Sequence, residues 1–267
     1  MHSKINELFE ALWNSYVAVT PSAKKIHELL GSTQHQDIVN DHIALRTFNC
    51  NNIGLDVLAA HFLKLGYKEC GEYHFKTKNL YSKHFEHPDP TQPKVFISEL
   101  LTEKFSPELQ DIVKKMTANI GTEITTNDNF LYSGTHWEID YSTYQKLLEE
   151  SEFAAWVAAW GYRANHFTVS NNYLLNFDSI QAINDAVKKA GIALNTAGGE
   201  IKGTAQQMLE QSSTLADHYP VQFSDKVKEI PSCFYEFAQR YAKPDGEIFT
   251  GFVTASADKI FESTNTR

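Results

Sequence analysis

His42 and Arg46 stand four residues apart in HIALRTF (42–48), a short β-prone run. In a strand, side chains alternate, so His42, Ala44, Arg46 and Phe48 share one face. At ~3.3 Å per residue His42 and Arg46 lie about 13 Å apart, with only the small Ala44 between them. A metal on His42 would leave room for a short chain-like acid whose far end reaches Arg46. Arginine suits a two-pronged grip on a carboxylate. The plain alternative for the pair is a core histidine and a surface arginine.

A second histidine, His166, opens a similar run, NHFTV (165–169). Alone it reads equally well as a buried, hydrogen-bonded ring. Two histidines at matching strand starts are, however, what a shared metal would need. A carboxylate is available in SCFYEFAQR: Glu236 lies among Phe234, Tyr235 and Phe237. Such a group needs a partner, and a metal or Arg240 on the same face could serve. VFISEL offers Glu99 as the counterpart in an earlier strand. Two histidines and one carboxylate with open positions suit oxygen activation at iron(II). The same donors also hold catalytic zinc, so spacing leaves the metal open.

Other candidates carry less chemistry. His84 and His87 in HFEHPDP read as exposed loop residues because of the nearby prolines. His74 and His136 are possible pocket residues without a partner motif. Ser212, Ser213 and Thr214 lack the GxSxG elbow of a serine hydrolase. GGEIKG (198–203) lacks the strand–GxGxxG–helix setting of a nucleotide site and reads as a turn.

The elements that must carry these residues form a recurring pattern. Ile5, Leu8, Phe9, Leu12, Trp13, Tyr16 and Val17 repeat at helical spacing, and a second helix runs from Ala23 to Leu30. Residues 40–100 read as strand, helix (Leu55–Leu65) and strands near 67–76 and 95–100, with HPDPTQP as a loop. Ser106–Pro107 predicts a helix start, and 141–160 predicts more helix, closed by Gly161. The pattern then returns: a strand over 162–169, a helix capped by Asp178 and closed by Gly191, and strands near 192–197, 206–214, 221–223 and 233–240. A short helix is expected over 255–262. Thus one α+β catalytic domain is expected across 1–267. Its parts are helices over 1–38, a first β module over 39–102, a helical insert over 103–160, a second β module over 161–242, and a C-terminal helix over 243–267.

Bulk properties say nothing against a small anionic substrate, since one well-placed arginine can outweigh the average field. The 267 residues have ordinary globular composition. A formal charge of -9 and a pI of about 5.6, without basic runs, argue against a nucleic-acid partner. No apolar run approaches the ~18 residues of a membrane span. Cys50, Cys70 and Cys233 are scattered, with no CxxC, which suits a reducing cytoplasm and disfavours a cysteine zinc site. Oligomeric state is not legible.

The runs NDHIALRTF, PKVFISEL, RANHFTV, EIKGTAQQMLEQSST and IPSCFYEFAQRY resemble the 2-oxoadipate dioxygenase/decarboxylase family over most of residues 38–242. More distantly, FYEFAQR resembles the strand carrying the iron-binding glutamate of 4-hydroxyphenylpyruvate dioxygenase. MLEQSST resembles the preceding strand there, which places a glutamine near the substrate, and the helix after Gly251 resembles that enzyme's C-terminal gate. The resemblance implies a vicinal-oxygen-chelate-like curved sheet, a half-barrel of paired modules around the metal. It implies iron(II) on His42, His166 and Glu236, with zinc, nickel or manganese possible as purified. It implies Arg46 on the distal carboxylate of 2-oxoadipate and Gln211 in the pocket. Oxygen would be the co-substrate, carbon dioxide would leave, and 2-hydroxyglutarate, an intermediate of lysine breakdown, would form. The competing reading is a non-redox lyase or isomerase of the same scaffold with Glu99 as a fourth ligand.

Overall fold

The computed structural model describes residues 1–31 and 38–265. The end of the expected helical lead and the last two residues of the expected C-terminal helix therefore lie outside the described residues. The helices are α1 (Ile5–Val17), α2 (Pro21–Gly31), α3 (Leu55–Leu63), α4 (Pro107–Thr117), α5 (Thr122–Thr125), α6 (Tyr141–Glu150), α7 (Glu152–Trp160), α8 (Ile180–Lys189) and α9 (Thr254–Ile260). The strands are β1 (Asn40–Phe48), β2 (Lys68–Phe75), β3 (Leu80–Glu86), β4 (Lys94–Leu100), β5 (Ala164–Ser170), β6 (Lys202–Thr204), β7 (Leu209–Ser213), β8 (His218–Gln222), β9 (Val227–Pro231) and β10 (Phe234–Arg240).

Eight strands form one sheet in the order β2-β3-β4-β1-β5-β10-β7-β6, and β8 and β9 form a separate hairpin. The order is a palindrome of two modules. In each, the first strand runs parallel to the last (β1 with β4, β5 with β10), and the remaining pairs are antiparallel. Each first strand leads into a crossover helix, α3 or α8. The modules join through the antiparallel pair β1–β5. The paired-module half-barrel expected from the sequence is therefore present.

The central strands β1, β5 and β10 are buried on both faces, whereas the edge strand β2 is largely exposed. On the convex side, Trp13 and Tyr16 of α1 pack on Phe167 and Tyr235, and Ser212 of β7 donates to Asn184 of α8. Burying each such aromatic is worth roughly 1.5–3 kcal/mol. On the concave side, α9 lies across the mouth against β2, β6 and β7. Gly203 of β6 has φ +81, and an added Cβ would collide with Leu209 O of the neighbouring β7 and come within 3.1 Å of Ser256 Oγ of α9, so glycine lets both the strand and the helix approach.

Several local expectations need correction. β3 was not expected, because Ser82 and His84 interrupt the apolar pattern of a buried face that otherwise carries only Leu80. Residues 192–197 form only the single bridge Leu194–Thr214. The strand near 221–223 belongs to the β8–β9 hairpin, outside the main sheet. The 141–160 helix is two helices, because Ser151 turns extended and its Oγ caps Ala154 N at 3.1 Å. Ser179, not Asp178, caps α8.

Candidate metal centre

The side chains of His42 (β1), His166 (β5) and Glu236 (β10) meet on the concave face. Their donor atoms lie within 4.8 Å of one another, and all three residues are buried. His166 Nε2 is 3.2 Å from Glu236 Oε2, and His42 Nε2 is 3.7 Å from Glu236 Oε1. The two rings stand edge to face, with centroids 5.5 Å apart.

Two β-bulges set the histidine geometry. In the β1–β5 pairing, Asp41 is the extra residue on β1 and Asn165 the extra residue on β5. A bulge re-aims a side chain that plain alternation would send to the other face. Asp41 Oδ1 accepts from His42 Nδ1 at 2.8 Å, and Asn165 Oδ1 lies 3.1 Å from His166 Nδ1. Each metal-site histidine is therefore held by the residue before it. With Nδ1 carrying the proton, each ring presents its Nε2 lone pair to the centre. Thr168 Oγ1 is 3.1 Å from His42 Nε2.

The donor set fits a divalent metal. Glu236 is fully buried, and its Oε2, though close to His166, has no aligned hydrogen bond. Its other oxygen accepts from Gln211 Nε2 at 2.5 Å. Burial raises the pKa of Glu236 against the attraction of His42. Burial holds His166 well below the usual histidine range, so it is neutral and able to donate. An unmet carboxylate oxygen beside two imidazole lone pairs is an electron-rich pocket that a cation would satisfy. Lys202, in register with Gln211, is a nearby cation; burial lowers its pKa to about 8, against the attraction of Glu236.

The pseudo-symmetry gives one member of the expected set a different place. Glu236 lies two residues beyond Phe234, the partner of His166. In the first module, His42 pairs with Lys94, so the matching position is Phe96. Phe96 lines the cavity and offers no donor. Glu99 lies on the opposite face, where its Oε2 accepts from Leu55 N at 2.8 Å at the start of α3. The four-ligand arrangement is thereby overturned. Arg240 is not the partner of Glu236 either; its guanidinium pairs with Asp41.

Gln211 joins the centre, and Arg46 points to the same concave face without reaching it. The cavity at the triad has about 30 Å³ of room and is lined by Ala44, Phe96, Phe252, Ile260 and Phe261 besides the triad and Gln211. That is space for a water, not for a six-carbon acid. Arg46 lies deeper, behind Phe261. Its Nη1 donates to Glu152 at 3.0 Å and its Nη2 to Thr264 at 3.1 Å, while Nε is buried without a partner. Phe153, Trp156 and Phe261 face its guanidinium. A roomier hollow of about 530 Å³ is lined by Asn195, His218 and Glu262 among others, but no three such donors come together there among the described residues.

His84 is also corrected: it is buried on β3, bound to Tyr73 OH at 2.9 Å and Glu86 Oε1 at 2.9 Å, while His87 follows in the loop, half-buried. With Cys70 and Glu86 it forms a second donor group, but Tyr73 and Glu86 occupy its nitrogens and Lys94 faces Glu86. Asp41, Asn165 and Phe252 were missed in the sequence. The adjacent pairs Asp41–His42 and Asn165–His166 were the available signal, hidden by assuming strict alternation.

Comparison with known proteins agrees with this fold. The family model described as 2-oxoadipate dioxygenase/decarboxylase matches residues 3–249. An Arabidopsis thaliana chloroplastic 2-oxoadipate dioxygenase/decarboxylase is 36% identical, covering 93% of this chain and 74% of the relative. A rice hydroxyglutarate synthase, solved in complex with 2-oxoadipate, superposes with a TM-score of 0.89 at 34% identity, covering 97% of this chain and 91% of that one. A Shewanella frigidimarina structure named as a hydrolase has a TM-score of 0.92 at 58% identity, covering 96% and 100%. A glyoxalase-superfamily protein from Ralstonia eutropha, 20% identical, covers 92% of this chain and 84% of its own and shares the fold, with a TM-score of 0.77. The chain therefore belongs to the 2-oxoadipate dioxygenase/decarboxylase family.

Proposed function

We propose that this chain is an iron(II)-dependent dioxygenase that decarboxylates 2-oxoadipate and hydroxylates the remainder to 2-hydroxyglutarate, a step suited to lysine breakdown. The observation that carries the reading is the buried triad His42, His166 and Glu236, with an unmet carboxylate oxygen, in a chain of this family. The rice relative's bound 2-oxoadipate supports the substrate. The whole chain serves as one catalytic domain, because the two modules each supply part of one centre.

On this reading His42, His166 and Glu236 hold the metal. When bound, iron(II) supplies chelation of the 2-oxo acid and activation of oxygen. The chain's own residues do the rest. Asp41 and Asn165 fix the ring tautomers. Gln211 holds Glu236 in one orientation. Phe96 stands where a fourth ligand would stand and so leaves positions for substrate and oxygen. Arg46 takes the distal carboxylate by exchanging Glu152 and Thr264 for it. Admission requires Phe261 and the segment around it to shift, since they separate Arg46 from the triad. Returned, Phe252, Ile260 and Phe261 exclude water from the reacting atoms. The lyase or isomerase alternative loses its fourth ligand with Glu99 on the other face. No helix among the described residues is long and apolar enough to cross a membrane. Three free cysteines fit a reducing compartment, which on our reading is the cytoplasm.

The test is oxygen consumption by protein reconstituted anaerobically with iron(II) and given 2-oxoadipate, with the product identified by mass. Uptake matched by 2-hydroxyglutarate is expected; background uptake would overturn the assignment. Arg46→Ala should weaken 2-oxoadipate binding about 10–100-fold while metal content stays at the wild-type level. Arg46→Lys should rescue only in part, because it lacks the fork. Equal binding by Arg46→Ala would remove Arg46 from the substrate; full binding by Arg46→Lys would show that charge suffices without the fork.

A further inference from the structure

We propose that Arg240 is a positioning residue that couples the C-terminal segment to the metal ligand His42 through Asp41. The guanidinium divides its donors between the two. Nε donates to Asp41 Oδ2 at 2.6 Å and Nη2 to Asp41 Oδ1 at 2.9 Å. Nη1 donates to the carbonyls of Phe249, at 3.0 Å, and Gly251, at 2.8 Å. Those carbonyls lie at the root of the segment that becomes α9. Asp41 Oδ1 also accepts from His42 Nδ1.

The circuit closes on the other side. The Phe252 ring lies under the guanidinium at 5.1 Å and meets the His42 ring edge to face at 4.9 Å. His42 is therefore held from behind by Asp41 and from the front by Phe252, and Arg240 touches both holders. Its backbone is fixed as well: Arg240 N donates to Asn172 Oδ1 at 2.9 Å, and Arg240 O accepts from Asn172 Nδ2 at 2.8 Å.

The second module supplies an internal comparison. His166 occupies the equivalent bulge, yet its holder is the neutral Asn165, whose Nδ2 is buried without a partner. A neutral amide is thus sufficient to orient a histidine here. The charge on Asp41 has a second task, which is to bind the arginine that holds the segment root. Coupling between two sites is reciprocal. If the closed root steadies His42 for the metal, then metal on His42 must steady the root.

The inference rests on the triad holding a divalent metal. That reading is checked first and separately, by whether the wild-type chain binds cobalt(II) or iron(II) at all. Amide hydrogen exchange in residues 249–253 is then compared between metal-free and metal-loaded wild-type protein. Slower exchange on loading is expected; unchanged exchange overturns the coupling without any variant. Arg240→Lys and Asp41→Asn should lower metal affinity about 10–100-fold in chelator competition and should abolish the metal-dependent slowing. Asn165→Ala should lower affinity but keep the slowing, because it has no link to the root. Should Arg240→Lys retain slowing of wild-type size, Arg240 is only a structural ion pair and the proposal fails.

Discussion

At the scale of single residues, the centre is defined by which buried polar atoms lack partners. Glu236 accepts a proton more readily than an ordinary glutamate, because burial penalises its charge. In the metal-free protein this is a cost at neutral pH. Glu236→Gln keeps an oxygen for Gln211 and removes the charge. It should abolish metal binding, measured as bound metal per chain, and should raise the Tm of the metal-free protein. Each kcal/mol relieved is worth about 2–4 °C in a chain of this size. A lower Tm would show that the carboxylate stabilises the fold without metal. Asp41 has the opposite character: burial would raise its pKa, but Arg240 and His42 hold it well below the ordinary 3.8. Its contribution is present above 3.8 and fades as pH falls below that value. Below about pH 4, Asp41→Asn should therefore flatten the loss of stability with acid, followed by denaturant unfolding at stepped pH. An unchanged slope would mean that Asp41 titrates alike in the folded and unfolded chains and that the ion pair with Arg240 does not depress it.

At the scale of elements, what was legible in the sequence follows from apolar periodicity. α1, α3, α4 and α8 show their buried faces in their spacing, and β1, β5 and β10 announce themselves as compact apolar strands, so His42, His166 and Glu236 could be found. β3 could not, because Ser82 and His84 interrupt the apolar pattern of its buried face and bond to Ser98 and Tyr73. Glu99 was misplaced for a related reason: its strand was recognised, but its face depends on the register with β1, which only pairing fixes. The two bulges were illegible for the same cause. The break at Ser151 is instructive because it aims α7, whose Glu152, Phe153 and Trp156 surround Arg46. Ser151→Ala removes the cap on Ala154 N and should cost about 0.5–2 kcal/mol, seen as a lower denaturant midpoint. Bound metal should be unchanged, because α7 contributes nothing to the triad. Metal loss in that variant would show that the Arg46 surroundings and the triad are linked.

At the scale of the whole molecule, the two modules are joined by one strand pair, β1–β5, and by whatever spans the concave face. The first module supplies His42; the second supplies His166 and Glu236. A metal held by all three therefore cross-links halves that the chain itself connects through a long helical insert. Binding to the folded state alone stabilises by RT ln(1 + [M]/Kd), about 2.7 kcal/mol at a hundredfold excess over Kd. Because the ligands come from both halves, metal should raise one cooperative transition rather than the later of two. The gain must also depend on pH. A raised folded pKa means that Glu236 favours the folded metal-free chain below its ordinary 4.5 and ceases to do so as pH rises through the folded value. Metal takes over the carboxylate where it is ionised, and protons compete where it is not. The metal-induced rise in Tm, measured by calorimetry from neutral pH downward, should be largest near neutrality and shrink toward pH 4.5. A rise independent of pH would mean that Glu236 is not displacing a proton when the metal binds, and a second, unshifted transition would mean that the metal is held within one half alone.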